Sequence, residues 1–229
     1  MRISIITLFP EVFEPILNSS ILKRAQAKGK VKFELINLRE FGEGKHQVVD
    51  GRPYGGGAGM ILKADVLAKA VRSLKTENLK LKTILMSASG TPYKQKKAQE
   101  FSKLDQLIIV CGHYEGVDQR FIDKYIDEEA SIGDYVLTGG EIPAMVIVDS
   151  VTRLIPGVLE KPEATENESF SDSSLLLEYP QYTRPEKFED QKVPDVLLSG
   201  NHAEIAKWRM EQSIKKTRKT RPELLTQTD

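Results

Sequence analysis

Residues 107–145 read LIIVCGHYEGVDQRFIDKYIDEEASIGDYVLTGGEIPAM, and no other stretch constrains the fold as strongly. Leu107-Ile108-Ile109-Val110 is a buried-strand run that breaks at Gly112. A polar, helix-like segment follows, then a second glycine-rich loop from Ile132 to Gly140, then an apolar run from Ile142 to Val148. Glycine alone carries no Cβ. Two glycine-punctuated loops after apolar runs therefore mark places where backbone can approach a small ligand closely.

The rest of the chain repeats the strand-then-helix order. Short apolar or β-branched runs predict strands over Ile3–Phe9, Val31–Leu38, Thr83–Ser87 and Leu107–Cys111. Helical patterns fall between them, over Ser20–Ala27, Ala64–Leu74, Lys94–Leu104 and Val117–Tyr125. Such alternation predicts an α/β domain with a mostly parallel sheet. Glu141–Leu154 reads as a further helix, with Pro143 in a first turn whose N–H has no partner to lose. From Pro156 to about Ser174 the chain is rich in Glu, Ser, Asn and Pro and has no period, which reads as an interdomain linker. The prolines in Tyr179–Pro185 keep that piece extended or turned. Asn201 is placed to cap a final helix running through Trp208 towards Lys219. There is no internal repeat.

Several function classes drop out on composition. No apolar run approaches the roughly 18 residues of a membrane span. The apolar start, Ile3 to Phe9, lacks a small-residue cleavage site and reads as a first strand. The single cysteine, Cys111, allows no intrachain disulfide; it reads as a core residue, and a cytoplasmic protein is expected. Net charge is zero, so no global field draws the protein to polyanions. The charge is uneven, however. From Asn201 to Arg221 seven basic residues face two acidic ones, whereas Glu160 to Asp172 carries five acidic residues against Lys161.

The remaining chemistry is less specific. Pro53-Tyr54-Gly55-Gly56-Gly57-Ala58-Gly59-Met60 matches neither a phosphate loop nor a dinucleotide fingerprint. It reads either as a flexible surface loop or, with His46, Asp50 and Arg52 just before it, as part of a polar substrate site. None of His46, His113 and His202 has metal-ligand spacing, and each reads as a solvated or capping histidine. The basic C-terminal helix is either a solvated face or a surface that tracks phosphates. Trp208, Tyr179 and Tyr182 are of the type that stacks on unpaired bases, although Trp208 taken alone reads as core.

Seven ordered motifs resemble one family over nearly the whole chain. They are Thr7-Leu8-Phe9-Pro10, Arg52 to Gly57, Cys111 to Gly116, Ser131 to Leu137 with Gly139-Gly140-Glu141, Ile155 to Leu159, Tyr182-Thr183-Arg184-Pro185, and Leu197 to Ala203. The chain is similar to the bacterial tRNA (guanine-N1)-methyltransferases, a knotted class of RNA methyltransferases that use S-adenosyl-L-methionine. The resemblance implies a deep trefoil knot in a parallel α/β domain, against the general rarity of knots. It implies three parts: a catalytic, cofactor-binding domain over 1–158, a linker over 159–174, and a small, mainly helical, basic tRNA-binding domain over 175–229. It also implies a homodimer that shares its active site between subunits, tRNA as the partner, and help from Mg²⁺.

The same resemblance assigns roles. Cofactor contacts fall on Ser87, Ala88, Gly90, Gly112, Tyr114, Glu115, Gly116, Ile132, Gly133, Asp134, Tyr135, Val136, Leu137 and Gly140. Substrate contacts fall on Asp50, Arg52, Gly59, Tyr182, Arg184, Ser199, His202 and Arg209. The catalytic arginine is Arg153. The family's base is an aspartate before Ser-Phe, and Glu168-Ser169-Phe170 stands there in this chain, one methylene longer. Glu168 is read as the base, with Asp172 as its rival. Between Phe170 and Glu178 the chain also departs from the family, with Ser173-Ser174 where a glycine is common. The implied reaction is methyl transfer to N1 of the guanosine immediately 3′ of the tRNA anticodon. The alternatives are a knotted RNA methyltransferase with another target nucleotide and a catalytically silent RNA-binding relative.

Overall fold

The computed structural model describes residues 1–75, 78–161, 165, 168–171 and 176–226. They form two compact units, Met1–Glu160 and Lys161–Asp229. Asp172 and Ser173-Ser174 lie outside the described residues.

The first unit is built on five parallel strands: β1 (Arg2–Thr7), β2 (Lys32–Asn37), β5 (Leu81–Pro92), β6 (Gln106–Cys111) and β7 (Glu128–Ser131), in the order β2-β1-β6-β5-β7. All six residues of β6 are buried, which is why the run is apolar without alternation: helices cover both faces of a central parallel strand. Leu107, Ile109 and Cys111 point into one core with α1 (Glu14–Leu17), α2 (Ser20–Ala27), α4 (Gln95–Phe101) and α6 (Glu141–Thr152). Ile108 and Val110 point into the other, with α3 (Ala64–Leu74) and α5 (Gln119–Tyr125). Truncating Ile108 or Ile109 to alanine would cost about 2–5 kcal/mol.

The expected α/β class with a mostly parallel sheet is present, but several boundaries differ. The strand expected over Thr83–Ser87 runs from Leu81 to Pro92, because its second half pairs with β7 after a register break between Met86 and Thr91. β7 has no counterpart among the expected strands. It begins Glu128-Glu129, which hides an apolar pattern; Lys82 and Lys97 satisfy the Glu128 carboxylate from the neighbouring elements. α5 starts at Gln119 rather than Val117, since Asp118 caps it by accepting the Arg120 N–H at 3.0 Å. α4 stops at Phe101 instead of Leu104, and α6 at Thr152 instead of Leu154. A short hairpin, β3 (Asp50–Gly51) with β4 (Ile61–Leu62), closes the glycine-rich loop between them.

In the second unit, α7 (Asp195–Leu198) precedes α8 (His202–Thr220), and a two-residue hairpin pairs β8 (Lys187–Phe188) with β9 (Gln191–Lys192). The Asn201 side chain caps α8 as expected, accepting the Ala203 and Glu204 N–H groups. Thr217 is buried. It donates to the Ser213 carbonyl at 2.7 Å and accepts the Leu177 N–H at 2.9 Å, tying α8 to the chain before it.

Candidate active site

The register break inside β5 and the loops that follow β6 and β7 wall a cavity of about 440 Å³, a size suited to a small cofactor. After β6 the chain turns through Gly112 to Gly116, with Tyr114 at φ 59° and the Gly116 N–H closing on the His113 carbonyl at 3.2 Å. This turn is braced by the strand beside it: the Glu115 N–H bonds to the Met60 carbonyl and the Leu62 N–H to the Gly116 carbonyl, both at 3.0 Å. After β7 the Ser131 hydroxyl donates to the Gly133 carbonyl at 3.1 Å, and Gly133 adopts φ 156°. That loop then returns to the first, with the Gly140 N–H on the Gly112 carbonyl at 2.8 Å. A Cβ on Gly140 would lie 2.7 Å from the Cys111 Cα and 2.8 Å from the Gly112 nitrogen. Glycine backbone forms the wall where the two loops touch, and side chains such as Leu85, Val117, Ile122, Ile132 and Leu137 line the rest. Such a cradle fits an adenosine-bearing cofactor.

The cavity gathers every proposed cofactor contact except Gly90 and Asp134. Gly90 serves the sheet instead: a Cβ there would sit 2.6 Å from the Ala130 nitrogen of β7. Asp134 is an exposed loop residue. The wall also includes residues not singled out from sequence, among them Ser89, His113, Thr138 and Gly139. His113 corrects the solvated-or-capping reading. Its ring packs 5.1 Å from Phe9 and 4.7 Å from Tyr114, and its Nδ1 is buried. His46 and His202 are exposed, as that reading expects. Cys111 is buried in the core; burial, and then the nearby Glu141 charge, push its thiol well above the ordinary range, so it stays protonated.

The proposed substrate contacts separate into groups. Asp50 and Arg52 line a second cavity of about 700 Å³, with Lys63, Arg72, Arg120 and Lys124 among its walls. Gly59 leans on the first cavity's loop, since a Cβ there would clash with the Glu115 side chain. Tyr54, on the tip between Asp50 and Gly59, is 99% exposed. In the second unit Tyr182, Arg184 and Arg209 share a cavity of about 420 Å³ with Tyr179 and Trp208. The Arg209 guanidinium lies 4.8 Å over the Tyr179 ring, and Tyr182 and Trp208 are 6.2 Å apart. Trp208 is thus a half-buried wall residue and not the core residue expected. Ser199 and His202 do not line this cavity; the Ser199 hydroxyl donates to the Val196 carbonyl at 2.8 Å.

Arg153 follows α6 as its C-terminal cap, with its N–H on the Asp149 carbonyl at 3.2 Å. Glu168 opens a tight turn in the second unit: the Ser171 hydroxyl and N–H both bond to its carbonyl, and Phe170 adopts φ 67°. Among the described residues no group of three or more His, Cys, Asp or Glu side chains stands close enough to hold a metal ion. No helix among them is long and apolar enough to cross a membrane.

The family profile described as tRNA (Guanine-1)-methyltransferase TrmD matches residues 1–227. A protein of Dictyoglomus turgidum named tRNA (guanine-N(1)-)-methyltransferase is 55% identical over 228 residues, covering 100% of this chain and 91% of that protein. Proteins of the same name from Citrifermentans bemidjiense and Halalkalibacterium halodurans are 52% and 53% identical, over 98% of this chain and 90% and 91% of theirs.

Proposed function

The chain belongs to the tRNA (guanine-1)-methyltransferase family, and from that premise we propose that it moves a methyl group from S-adenosyl-L-methionine to N1 of the guanosine immediately 3′ of the tRNA anticodon. The observation that carries this reading is the 440 Å³ cavity: Ser87-Ala88 and residues of the two glycine-rich motifs around Gly112–Gly116 and Ile132–Gly140 converge on it. When bound, the cofactor supplies an already activated sulfonium methyl. The chain's own residues bind, orient and handle the proton.

Backbone amides and carbonyls of Gly112–Gly116 and Ile132–Gly140 hold the cofactor. Guanine N1 carries a proton and attacks poorly until it loses it. The Glu168 carboxylate takes that proton as general base, an effect of about 10²–10⁴-fold. Arg153 lies against O6 and stabilises the negative charge that builds there. Holding N1 in line with the methyl supplies much of the remaining acceleration. Asp50, Arg52, Gly59, Tyr182, Arg184, Ser199, His202 and Arg209 bind the tRNA. The basic segment 201–221 follows phosphates, and the aromatic cavity around Trp208 receives a base.

Two structural parts of the reading also belong here. The protein works as a homodimer with the active site shared between subunits. α6 supports this, because Ile142 and Val146 stand one turn apart at 57% and 42% exposure, and Val136 beside them in sequence is 87% exposed. Side chains of that type on one helix ask for a partner surface. The chain before α6 passes through a trefoil knot, a reading supported by the return of the 132–140 loop onto Gly112. The divisions 1–158, 159–174 and 175–229 carry the catalytic, linking and tRNA-binding roles.

The test is methyl transfer from labelled S-adenosyl-L-methionine to two tRNA transcripts, one with guanosine 3′ of the anticodon and one with adenosine there. Label on the first alone is expected. Equal label on both would move the target elsewhere. No label on either, with cofactor still bound, would make the chain a silent RNA-binding relative.

A further inference from the structure

One polar atom at the cavity has nothing to bond. His113 Nδ1 is buried without a hydrogen-bond partner among the described residues, and leaving such a group unsatisfied costs about 1–3 kcal/mol. An acceptor stands nearby, across Gly139. A Cβ on Gly139 would be 2.3 Å from Glu141 Oε2 and 2.7 Å from His113 Nδ1. Laid end to end, those spans put carboxylate and ring nitrogen at most about 5 Å apart, a gap that a small rotation or one water closes.

Glu141 is prepared for the task. Its Oε1 accepts the buried Thr7 hydroxyl at 2.8 Å, and Thr7 in turn accepts the Phe9 N–H at 3.0 Å. Oε2 accepts no hydrogen bond among the described residues. The residue opens α6, where the exposed N–H groups of a helix favour a carboxylate. The neighbouring Cys111 thiol is held protonated by burial and then by the nearby Glu141 charge. His113 Nε2, unlike Nδ1, is not shut away from solvent, and it makes no hydrogen bond among the described residues.

We propose that Glu141 is a positioning residue acting through His113: its Oε2 accepts a hydrogen bond from Nδ1–H, directly or through one water, and fixes the imidazole as the Nδ1–H tautomer. Nε2 is then a hydrogen-bond acceptor on the cavity wall beside Tyr114, for an N–H or O–H donor of the cofactor. This rests on the reading of the cavity as the cofactor's. It also explains Gly139, where any side chain would displace the carboxylate or the ring.

Nitrogen NMR of the histidine-labelled full chain, without cofactor and at about pH 8, where ordinary imidazoles are neutral, tests the tautomer. H113Q identifies the signal among the three histidines. A protonated Nδ1 and bare Nε2 are expected. The E141Q variant keeps an oxygen for Thr7 and turns an amide N–H towards Nδ1. It should reverse the tautomer and weaken S-adenosyl-L-methionine binding about tenfold, the loss of one hydrogen bond, with kcat at saturation within about twofold. H113Q, which returns an amide oxygen to the Nε2 position, should bind within about threefold of wild type, whereas H113F should lose about tenfold. A bare Nδ1 or an imidazolium in the wild type overturns the proposal, as does unchanged cofactor affinity in both E141Q and H113F. Wild-type protein that binds no cofactor would instead overturn the reading of the cavity, and the tautomer spectrum would still judge the Glu141–His113 pair.

Discussion

The cavity of the first unit and the aromatic cavity of the second are nearly equal in volume, about 440 and 420 Å³, but they are made of different material. The first is lined by side chains and, where its two loops touch at Gly139 and Gly140, by glycine backbone with no room for a Cβ. The second is walled by side chains, from the turn around Tyr182 and from α8. Where the loops touch at Gly139 and Gly140 no added atom fits, so that part of the wall is shaped before the ligand arrives. A side-chain wall fails by truncation, one side chain at a time. The first suits a cofactor of fixed shape; the second suits a flexible polymer whose bases and phosphates are gripped separately.

The largest expected effect tests whether the chemistry is separable from the backbone wall. E168Q removes a proton acceptor from the second unit and leaves the first cavity untouched. Turnover should fall about 10²–10⁴-fold in single-turnover assays, with cofactor affinity by calorimetry unchanged. Full activity would transfer the base to Asp172 or to the guanine's own ionisation. The next effect attacks the wall itself. G140A places a methyl 2.7 Å from the Cys111 Cα, against backbone that cannot swing away. Cofactor affinity should fall roughly a hundredfold, and overpacking should take about 1–3 kcal/mol from stability, read by denaturant titration. A variant that binds cofactor normally would show the wall to be pliable and erase the contrast with the second unit.

The two cavities also differ in how far the sequence discloses them. The glycine backbone leaves a local signature: Gly112, Gly116, Gly133 and Gly140 stand beside apolar runs, so both of the cavity's loops are visible in one stretch. The exceptions are instructive. Gly90 looks like cofactor backbone but relieves a strand contact with β7, a partner 40 residues away that begins with two glutamates and shows no strand pattern. His113 lies inside a motif, yet its buried Nδ1 depends on Gly139 and Glu141 arriving from the far side of the loop. The side-chain wall has no comparable signature. Trp208 reads as core because an aromatic on a helix is usually buried, and only its packing against Tyr182 makes it a wall residue. Roles such as those of Arg153 and Glu168 come from family resemblance, since neither charge is distinguishable from a solvated one by spacing.

Truncating the side-chain wall should give graded losses confined to RNA. W208A removes one stacking surface, which is worth about 1–3 kcal/mol per base. The KM for tRNA should rise about 10–100-fold while kcat and cofactor affinity stay near wild type. A matching loss of cofactor affinity would mean that the second cavity is not a separate grip.

The smallest effect distinguishes the two components of that grip. Lys215 and Lys219 are exposed and lie one turn apart on α8, where neither supports the fold. Their replacement by glutamine should lower tRNA affinity only a few-fold at physiological salt. The informative quantity is the slope of log affinity against log salt. For every phosphate no longer neutralised, one fewer counterion is released on binding, and the slope flattens by about 0.7–0.9. W208A, which removes stacking and no charge, should leave the slope unchanged even though its affinity loss is larger. If both variants flatten the slope, Trp208 acts by placing the basic helix and not by stacking a base; if neither does, the charge of α8 is a solvated face and the phosphates are held elsewhere.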